Sequence, residues 1–453
     1  MSARALILAA PASGAGKTTL TLALLAAFAG QGVAVRGAKI GPDYIDPAFH
    51  AALTGREAFN LDLWAMGEEG CAALLHQAAE GAELLLIEAA MGLFDGVAGS
   101  DPRRPAGSAA ALAARFRLPV VLVLDARGMG QSAAALARGF CTHDPEVEIA
   151  GVILNQVASP RHRALLEAAL AAHRIPCFGA LPRRPDLALP ARHLGLVQAS
   201  EQEELPLLAA RLAREARDGL DLAALAASAR PLGPPPPRPR PLLRPPARRI
   251  AIARDAAFSF VYPHLLAAWR AGGAELSFFS PLADEGPEER AELCWLPGGY
   301  PELHAARLAA ARHFQRAMRH FAATRPVHGE CGGFMVLGRA IEDAAGVKHG
   351  MLGLLDFTTR LGRRPRLGYR RARLLAPHPL GPAGARFRGH EFHYAEVTTA
   401  GETEPLFALA DGEGQPLGPA GFRRGLVSGS FFHLIAEEEE EDAHAPPPPF
   451  PAP

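Results

Sequence analysis

Two stretches of the chain place reactive residue types at spacings suited to chemistry. The first is Pro11-Ala-Ser-Gly-Ala-Gly-Lys-Thr-Thr19, behind the apolar run ALILAA. A glycine-rich turn that opens a helix aims backbone N–H groups at one spot where the helix dipole favours negative charge, so phosphate oxygens suit it. Ser13, Gly14 and Gly16 form the turn, and Lys17 reaches the terminal phosphates. Thr18 offers its hydroxyl to Mg²⁺, and Thr19 extends the cradle. The full phosphate-loop pattern has glycine where Pro11 stands, so this loop deviates at its first position. The second stretch is PVHGE followed by Cys331-Gly-Gly-Phe-Met-Val-Leu337. An apolar strand that ends in a glycine-flanked cysteine and opens a helix is a nucleophile elbow. Its sharp turn exposes the side chain, its helix N-terminus favours thiolate, and its glycines let a substrate approach.

Acids accompany the first stretch. Lys39-Ile-Gly-Pro-Asp-Tyr-Ile-Asp-Pro47 carries Asp43 and Asp46, and Glu88 stands at the end of the run ELLLIEAA. Ligands of open parallel sheets bind beyond the carboxyl ends of the strands, where both segments are expected. A carboxylate there suits Mg²⁺ beside a nucleotide. The same acids also serve as turn formers or helix caps, and Asp95, in an Asp-Gly pair, reads more readily as a turn. Asn155, ending IAGVILNQ, either meets the nucleotide base or caps the next helix. Asp125, ending PVVLVLD, is equally open.

A cysteine nucleophile requires a base. His433 in Gly429-Ser-Phe-Phe-His-Leu434 is the candidate, with His390 and His393 of Gly389-His-Glu-Phe-His393 as competitors. The turn Leu296-Pro-Gly-Gly-Tyr-Pro-Glu302 can present N–H groups to an oxyanion. Cys71, Cys141, Cys177 and Cys294 read as small buried hydrophobes.

The elements that must position these residues follow from the pattern of apolar runs. In the first half, continuous apolar strands alternate with Ala/Leu-rich helices, which means a parallel sheet covered on both faces. PLGPPPPRPRPLLRPPARR interrupts this pattern, and so much proline reads as an extended spacer. A second strand–helix alternation follows: RIAIAR, VYPHLLAAWRAGG, ELSFFS and ELCWLPGG. The expected division is therefore residues 1–230, a linker at 231–248, a second domain at 249–436, and a disordered charged, proline-rich tail at 437–453. A chain of 453 residues supports two or three domains. With 49% apolar and 21% charged residues and a net charge of zero, it shows no electrostatic footprint for nucleic acid or an anionic membrane. Five widely spaced cysteines without a C-x-x-C pair argue against a disulfide framework or a zinc site, and the cytoplasm is the expected compartment.

The second half resembles class I glutamine amidotransferase domains, with a flavodoxin-like α/β fold. PGGYPE matches the oxyanion turn, ECGGFMVL the elbow and GSFFHL the base. The first half resembles the dethiobiotin-synthetase-like branch of phosphate-loop enzymes. APASGAGKTT, GPDYIDPAFH, MGLFDG, ARHLGL, ARDAAFSF, PGGYPELH and RGHEFHY together are similar to the cobyrinic or hydrogenobyrinic acid a,c-diamide synthases, from about residue 4 to 435. The resemblance implies ATP and Mg²⁺ as cofactors, and glutamine and a corrin-ring polycarboxylate as partners. It implies glutamine hydrolysis at Cys331 with His433 as base, and amidation of two acetate carboxylates through an acyl phosphate. Lys17 and Thr18 would hold the triphosphate, and Glu88, Asp43 and Asp46 would place the metal or align the carboxylate. Many relatives carry His-x-Glu, whereas Leu434 and Ile435 follow His433 here. Glu391 or a two-residue arrangement would fill that gap. Other tetrapyrrole amidases, cobyric acid synthase and nickel sirohydrochlorin diamide synthase, are the nearest alternatives. A nucleotide-dependent binding protein with an inert second half is the alternative from another class. A homodimer is the working expectation for oligomeric state.

Overall fold

The computed structural model describes residues 3–187, 189–192, 195–237 and 241–438. The chain divides into two compact units at residues 240 and 241. In the first unit, seven parallel strands form one sheet: β1 (Arg4–Ala9), β2 (Val35–Ile40), β3 (Phe59–Leu61), β4 (Leu84–Glu88), β5 (Val120–Asp125), β6 (Ile149–Val157) and β7 (Cys177–Pro182). Their order is β3-β2-β4-β1-β5-β6-β7. The helices are α1 (Lys17–Gly30), α2 (Ile45–Thr54), α3 (Leu63–Ala78), α4 (Ala109–Phe116), α5 (Ser132–His143), α6 (Pro160–Ala172), α7 (Leu205–Gly219) and α8 (Leu222–Ser228).

The strands are apolar on both faces because helices cover both. Leu6, Ile7, Leu8, Leu85, Leu86 and Ile87 are wholly buried. Each such side chain contributes roughly 1.5–3 kcal/mol of burial. Register then places the polar exceptions. Lys39 on β2 lies opposite Glu88 on β4, which lies opposite Leu8 on β1. These residues fall at the carboxyl ends of the strands, where β1 leads into α1 and β2 into α2.

The second unit holds a six-stranded sheet and a seven-stranded one. In the first, the strands at 249–253, 275–279, 293–296, 327–330 and 427–430 run parallel, and 422–424 joins antiparallel at the edge. The second sheet is built around a long hairpin, Phe357–Leu374 against Arg386–Ala400, with His433–Glu437 paired to its second arm. Sequence periodicity did not reveal this hairpin, because Arg and Gly interrupt its apolar alternation.

Both ends of the proline-rich segment are pinned. Arg230–Pro231 pairs with the start of β1, and Leu243 is fully buried. Residues 238–240 of that segment, 193–194 of the ARHLGL string and 439–453 of the expected disordered tail lie outside the described residues. Glu437 and Glu438, expected to open that tail, belong to the fold. Glu437 ends a strand, and the Glu438 carboxylate pairs with Arg371 at 3.1 Å and Arg388 at 3.2 Å. Two arginines flanking one nearly buried carboxylate hold the chain in place there. Among the described residues, no helix is long and apolar enough to cross a membrane.

Candidate active sites

Gly14 and Gly16 take φ of 78° and 86°, a left-handed backbone that glycine adopts without strain. Gly16 is itself the N-cap of α1, and no side chain caps that helix, so its first N–H groups face the cleft as an anion site requires. A Cβ on Gly16 would also lie 2.2 Å from Asn155 Nδ2. That amide donates to the Ala15 carbonyl at 2.9 Å. Asn155 therefore braces the phosphate loop from below. It does not cap the following helix, whose N-cap is Ser159.

Lys17 donates to the carbonyls of Met91 at 2.5 Å and Ala12 at 3.3 Å. Burial, and then the neighbouring Lys39 charge, push its pKa down to about 8. Met91 holds its carbonyl in place with φ of 31°, outside the usual region for a side-chain-bearing residue.

Beside this loop lies a buried ionic cluster. Lys39 Nζ is 2.5 Å from Asp46 Oδ2 and 2.9 Å from Glu88 Oε1. Thr18 donates to Glu88 Oε1 at 2.6 Å and lies 3.4 Å from Asp46 Oδ2. His50 Nε2 is 2.9 Å from Glu88 Oε2. All but Thr18 are buried. Burial alone would raise the Glu88 carboxyl, but Lys39, His50 and Thr18 outweigh it and hold the group well below the usual carboxylate range. Burial would lower Lys39, yet Glu88, Asp46 and Asp43 keep it firmly charged. Asp46 is pushed up to about 7 by burial and by Asp43, with Lys39 opposing.

Asp43 is a turn former as well as a wall of the cleft, since its Oδ1 accepts from the N–H groups of Ile45 at 2.7 Å and Asp46 at 3.1 Å. Asp95 accepts from Gly92 N–H at 2.8 Å and so closes its own turn. Asp125 is paired with Arg127.

A cleft of about 580 Å³ joins these parts. Ser13, Gly14, Gly16, Lys17, Thr18, Thr19, Asp43, Asp46, Glu88 and Asn155 all line it. Beyond the loop it continues along Leu181, Arg184, Leu187, Leu212 and Glu215, an apolar slot with an Arg184–Glu215 pair at its side. Neither this far end nor Lys39 and His50 was recognised from sequence. The hydroxyl of Thr18 with the carboxylates of Glu88 and Asp46 forms a hard-oxygen donor set that fits Mg²⁺, an ion that shares its shell with phosphates and water. Among the described residues, no three His, Cys, Asp or Glu side chains could hold a metal without such help.

In the second unit, Cys331 links the strand Val327–Glu330 to the helix Gly332–Leu337 with φ of 45°. That strained turn is the expected elbow. Its N–H donates to Ser430 O at 2.7 Å. The PGGYPE turn packs against it, and a Cβ on Gly332 would lie 3.0 Å from Gly299 N. A Cβ on Gly298 would lie 2.6 Å from His433 Cε1 and 3.4 Å from Cys331 Cβ. The candidate nucleophile and candidate base are thus brought to one point, with the glycine leaving room between them.

His433 and His390 face each other across paired strands and stack, with centroids 4.9 Å apart, and Tyr262 contacts His390 Nδ1 at 3.2 Å. His393 stacks instead on Phe431, at 3.9 Å. Glu391 holds Arg370 at 2.6 Å. Burial raises the Cys331 thiol far above its ordinary value, with Glu302 adding to the effect. Burial and the nearby His390 lower His433 well below the usual range.

Residues 6–197 match the CobQ/CobB/MinD/ParA nucleotide binding domain, and residues 249–441 match the CobB/CobQ-like glutamine amidotransferase domain. The chain is similar to the hydrogenobyrinate a,c-diamide synthase of Mesorhizobium japonicum, with 54% identity over 96% of this chain and 99% of that protein. It is similar to those of Agrobacterium fabrum (53%, covering 96% and 100%) and Rhodobacter capsulatus (54%, covering 96% and 99%). With a phosphate-loop site and a cysteine elbow in one chain, and likeness along nearly its whole length, the chain belongs to the hydrogenobyrinate a,c-diamide synthase family.

Proposed function

We propose that this ligase amidates the a and c acetate carboxylates of metal-free hydrogenobyrinate, using ATP with Mg²⁺ in the first unit and glutamine in the second. The names of the relatives support this ring over its cobalt-containing counterpart. The observation that carries the reading is the pairing of a phosphate cradle beside buried carboxylates with a Cys331–His433 elbow on the same chain.

In the synthetase cleft, a substrate carboxylate oxygen attacks the terminal phosphorus of ATP, and ADP leaves. Ammonia then attacks the acyl carbon, the carbon–oxygen bond to phosphate breaks, and the amide forms. Lys17 and the N–H groups of the loop balance the phosphate charge, and Thr18, Asp46 and Glu88 would hold Mg²⁺. The ion would offset charge on the transferring phosphoryl group. Asp43 keeps the α2 end of the cleft in place. In the glutaminase, Cys331 attacks the glutamine amide carbon after passing its proton to His433. The PGGYPE turn receives the oxyanion, and ammonia leaves with a proton from His433. Water then passes a proton to His433 and attacks the thioester carbon, the carbon–sulfur bond breaks, and glutamate leaves as Cys331 takes the proton back. The proposed boundaries are residues 1–230 for the synthetase and 249–438 for the glutaminase, the strand and ion pairs at Glu437 and Glu438 supporting an end two residues beyond the expected 436. The cytoplasm is the proposed compartment, where ATP is available and unpaired cysteines such as these persist reduced.

The test is ADP release with glutamine and either hydrogenobyrinate or its cobalt form, with products weighed by mass spectrometry. A gain of two amides on the metal-free ring is expected. Cys331→Ala should abolish glutamine use and leave synthesis from high ammonia intact. Loss of both would refute the division of labour.

A further inference from the structure

The chemistry above gives no part to a buried histidine behind the carboxylates of the synthetase cleft. His50 lies on α2 four residues after Asp46, so both side chains fall on the same helix face. Its ring is completely buried. Nε2 lies 2.9 Å from Glu88 Oε2, the oxygen that Thr18 and Lys39 leave alone, since both of those bind Oε1. Nδ1 is buried and has no hydrogen-bond partner, so the contact with Glu88 is the ring's one polar attachment.

The strand behind the ring is shaped for it. A Cβ on Gly37 of β2 would lie 2.8 Å from His50 Cβ and 2.9 Å from its Cγ. No larger residue fits at position 37 without displacing the imidazole. The ring is therefore held by shape, and one nitrogen is left without a partner so that the other can reach Glu88. A lysine ammonium and a hydroxyl on Oε1 leave a carboxylate free to pivot, because the terminal torsion of glutamate is broad. A second attachment on Oε2 fixes its plane.

We propose that His50 is a positioning residue for the metal site: its Nε2–H holds Glu88 Oε2 and so aims Oε1 at Thr18 and the Mg²⁺–phosphate position. Outer partners of this kind commonly govern how well a ligand holds its ion. The proposal rests on the reading of Glu88 as a metal ligand given above.

The experiment compares His50→Ala, His50→Asn and His50→Gln in the full chain. A glutamine amide reaches about as far as Nε2 and donates an N–H there, whereas asparagine reaches only to Nδ1. Two quantities are read: binding of ATP by calorimetry with and without Mg²⁺, and the Mg²⁺ concentration for half-maximal ADP release. The alanine and asparagine variants should need about 10–100-fold more Mg²⁺ and lose Mg²⁺-dependent ATP binding, with metal-free ATP binding unchanged. The glutamine variant should restore both to near the parent. Equal loss in all three variants with an unchanged Mg²⁺ requirement would make His50 a space-filler and overturn the proposal. So would an alanine variant that behaves like the parent. A parent chain that binds ATP equally with and without Mg²⁺ would overturn the metal-site reading first, and this proposal with it.

Discussion

Around Glu88, the first unit buries a charged lysine against two carboxyl groups. Lys39, Asp46 and Glu88 meet at 2.5–2.9 Å, almost without solvent. Around Cys331, the second unit buries a thiol, two imidazoles and a carboxyl that burial drives towards neutrality. The thiol is pushed up, His433 down, His390 down to about 3 and Glu330 up to about 8. The contrast fits what each site does in the proposed reaction. A site for a highly charged nucleotide and its metal has charges already fixed in place, each dependent on its neighbours. A site that makes a nucleophile only on demand keeps thiol and imidazole uncharged, and the proton moves when the substrate's oxyanion has a place to form.

Interdependence in the first site is the easiest part of this contrast to break. Lys39→Met leaves two buried carboxylates without their cation and should destabilise the chain by about 3–5 kcal/mol, the usual loss when half of a buried pair is removed. Adding Glu88→Gln should recover more than half of that, because it removes one uncompensated charge and the other carboxyl, Asp46, already raised to about 7, can be neutralised by a proton. Thermal unfolding of the two single variants and the double variant forms the cycle. Simple additivity would show that the charges are independent.

Geometry, not charge, limits the second site. Gly298 has no unusual φ, so alanine is tolerated by the backbone, but its Cβ would press to 2.6 Å from His433 Cε1. Gly298→Ala should cut glutaminase turnover about 100-fold by shifting the base roughly 1 Å, with ammonia-supported synthesis unchanged. A parallel fall in both activities would mean that the substitution acts on folding.

The same contrast explains what the sequence disclosed. Lys17, Thr18 and Cys331 were legible because a strand, a glycine turn and a helix are local, and their chemistry lies within a few residues. His433 was legible only as one candidate beside His390 and His393, since its approach to Cys331 depends on the pairing of distant strands. Lys39 and His50 stand within, or just beside, the acidic loop, and nothing local settles their part in the site. Lys39 becomes informative once β2 and β4 are in register. His50 could have been marked by its spacing of four from Asp46 on a helix, but its partner lies 38 residues on. The role of Asn155 as a brace for the loop, across 140 residues, had no local signal at all. The long arginine-bearing hairpin lacked the alternation that marks a strand with one buried face.

The smallest expected effect tests whether the neutrality of the second site costs stability. Glu330 precedes Cys331, is buried, and accepts from Leu434 N–H at 2.9 Å through Oε1. Burial raises its carboxyl to about 8, with that hydrogen bond opposing. Below about pH 4.3, the ordinary glutamate value, the carboxyl is protonated in both folded and unfolded chains and there is no penalty. Between there and about 8 the unfolded chain releases the proton while the folded one keeps it, so stability falls as pH rises. Glutamine retains the oxygen that accepts from Leu434 and has no proton to lose. Glu330→Gln should therefore match the parent near pH 4.5 and melt higher near pH 8, by about 2–4 °C for each kcal/mol regained. A difference that is the same at both pH values would show that the gain comes from packing, and that Glu330 does not share in the suppression of charge around Cys331.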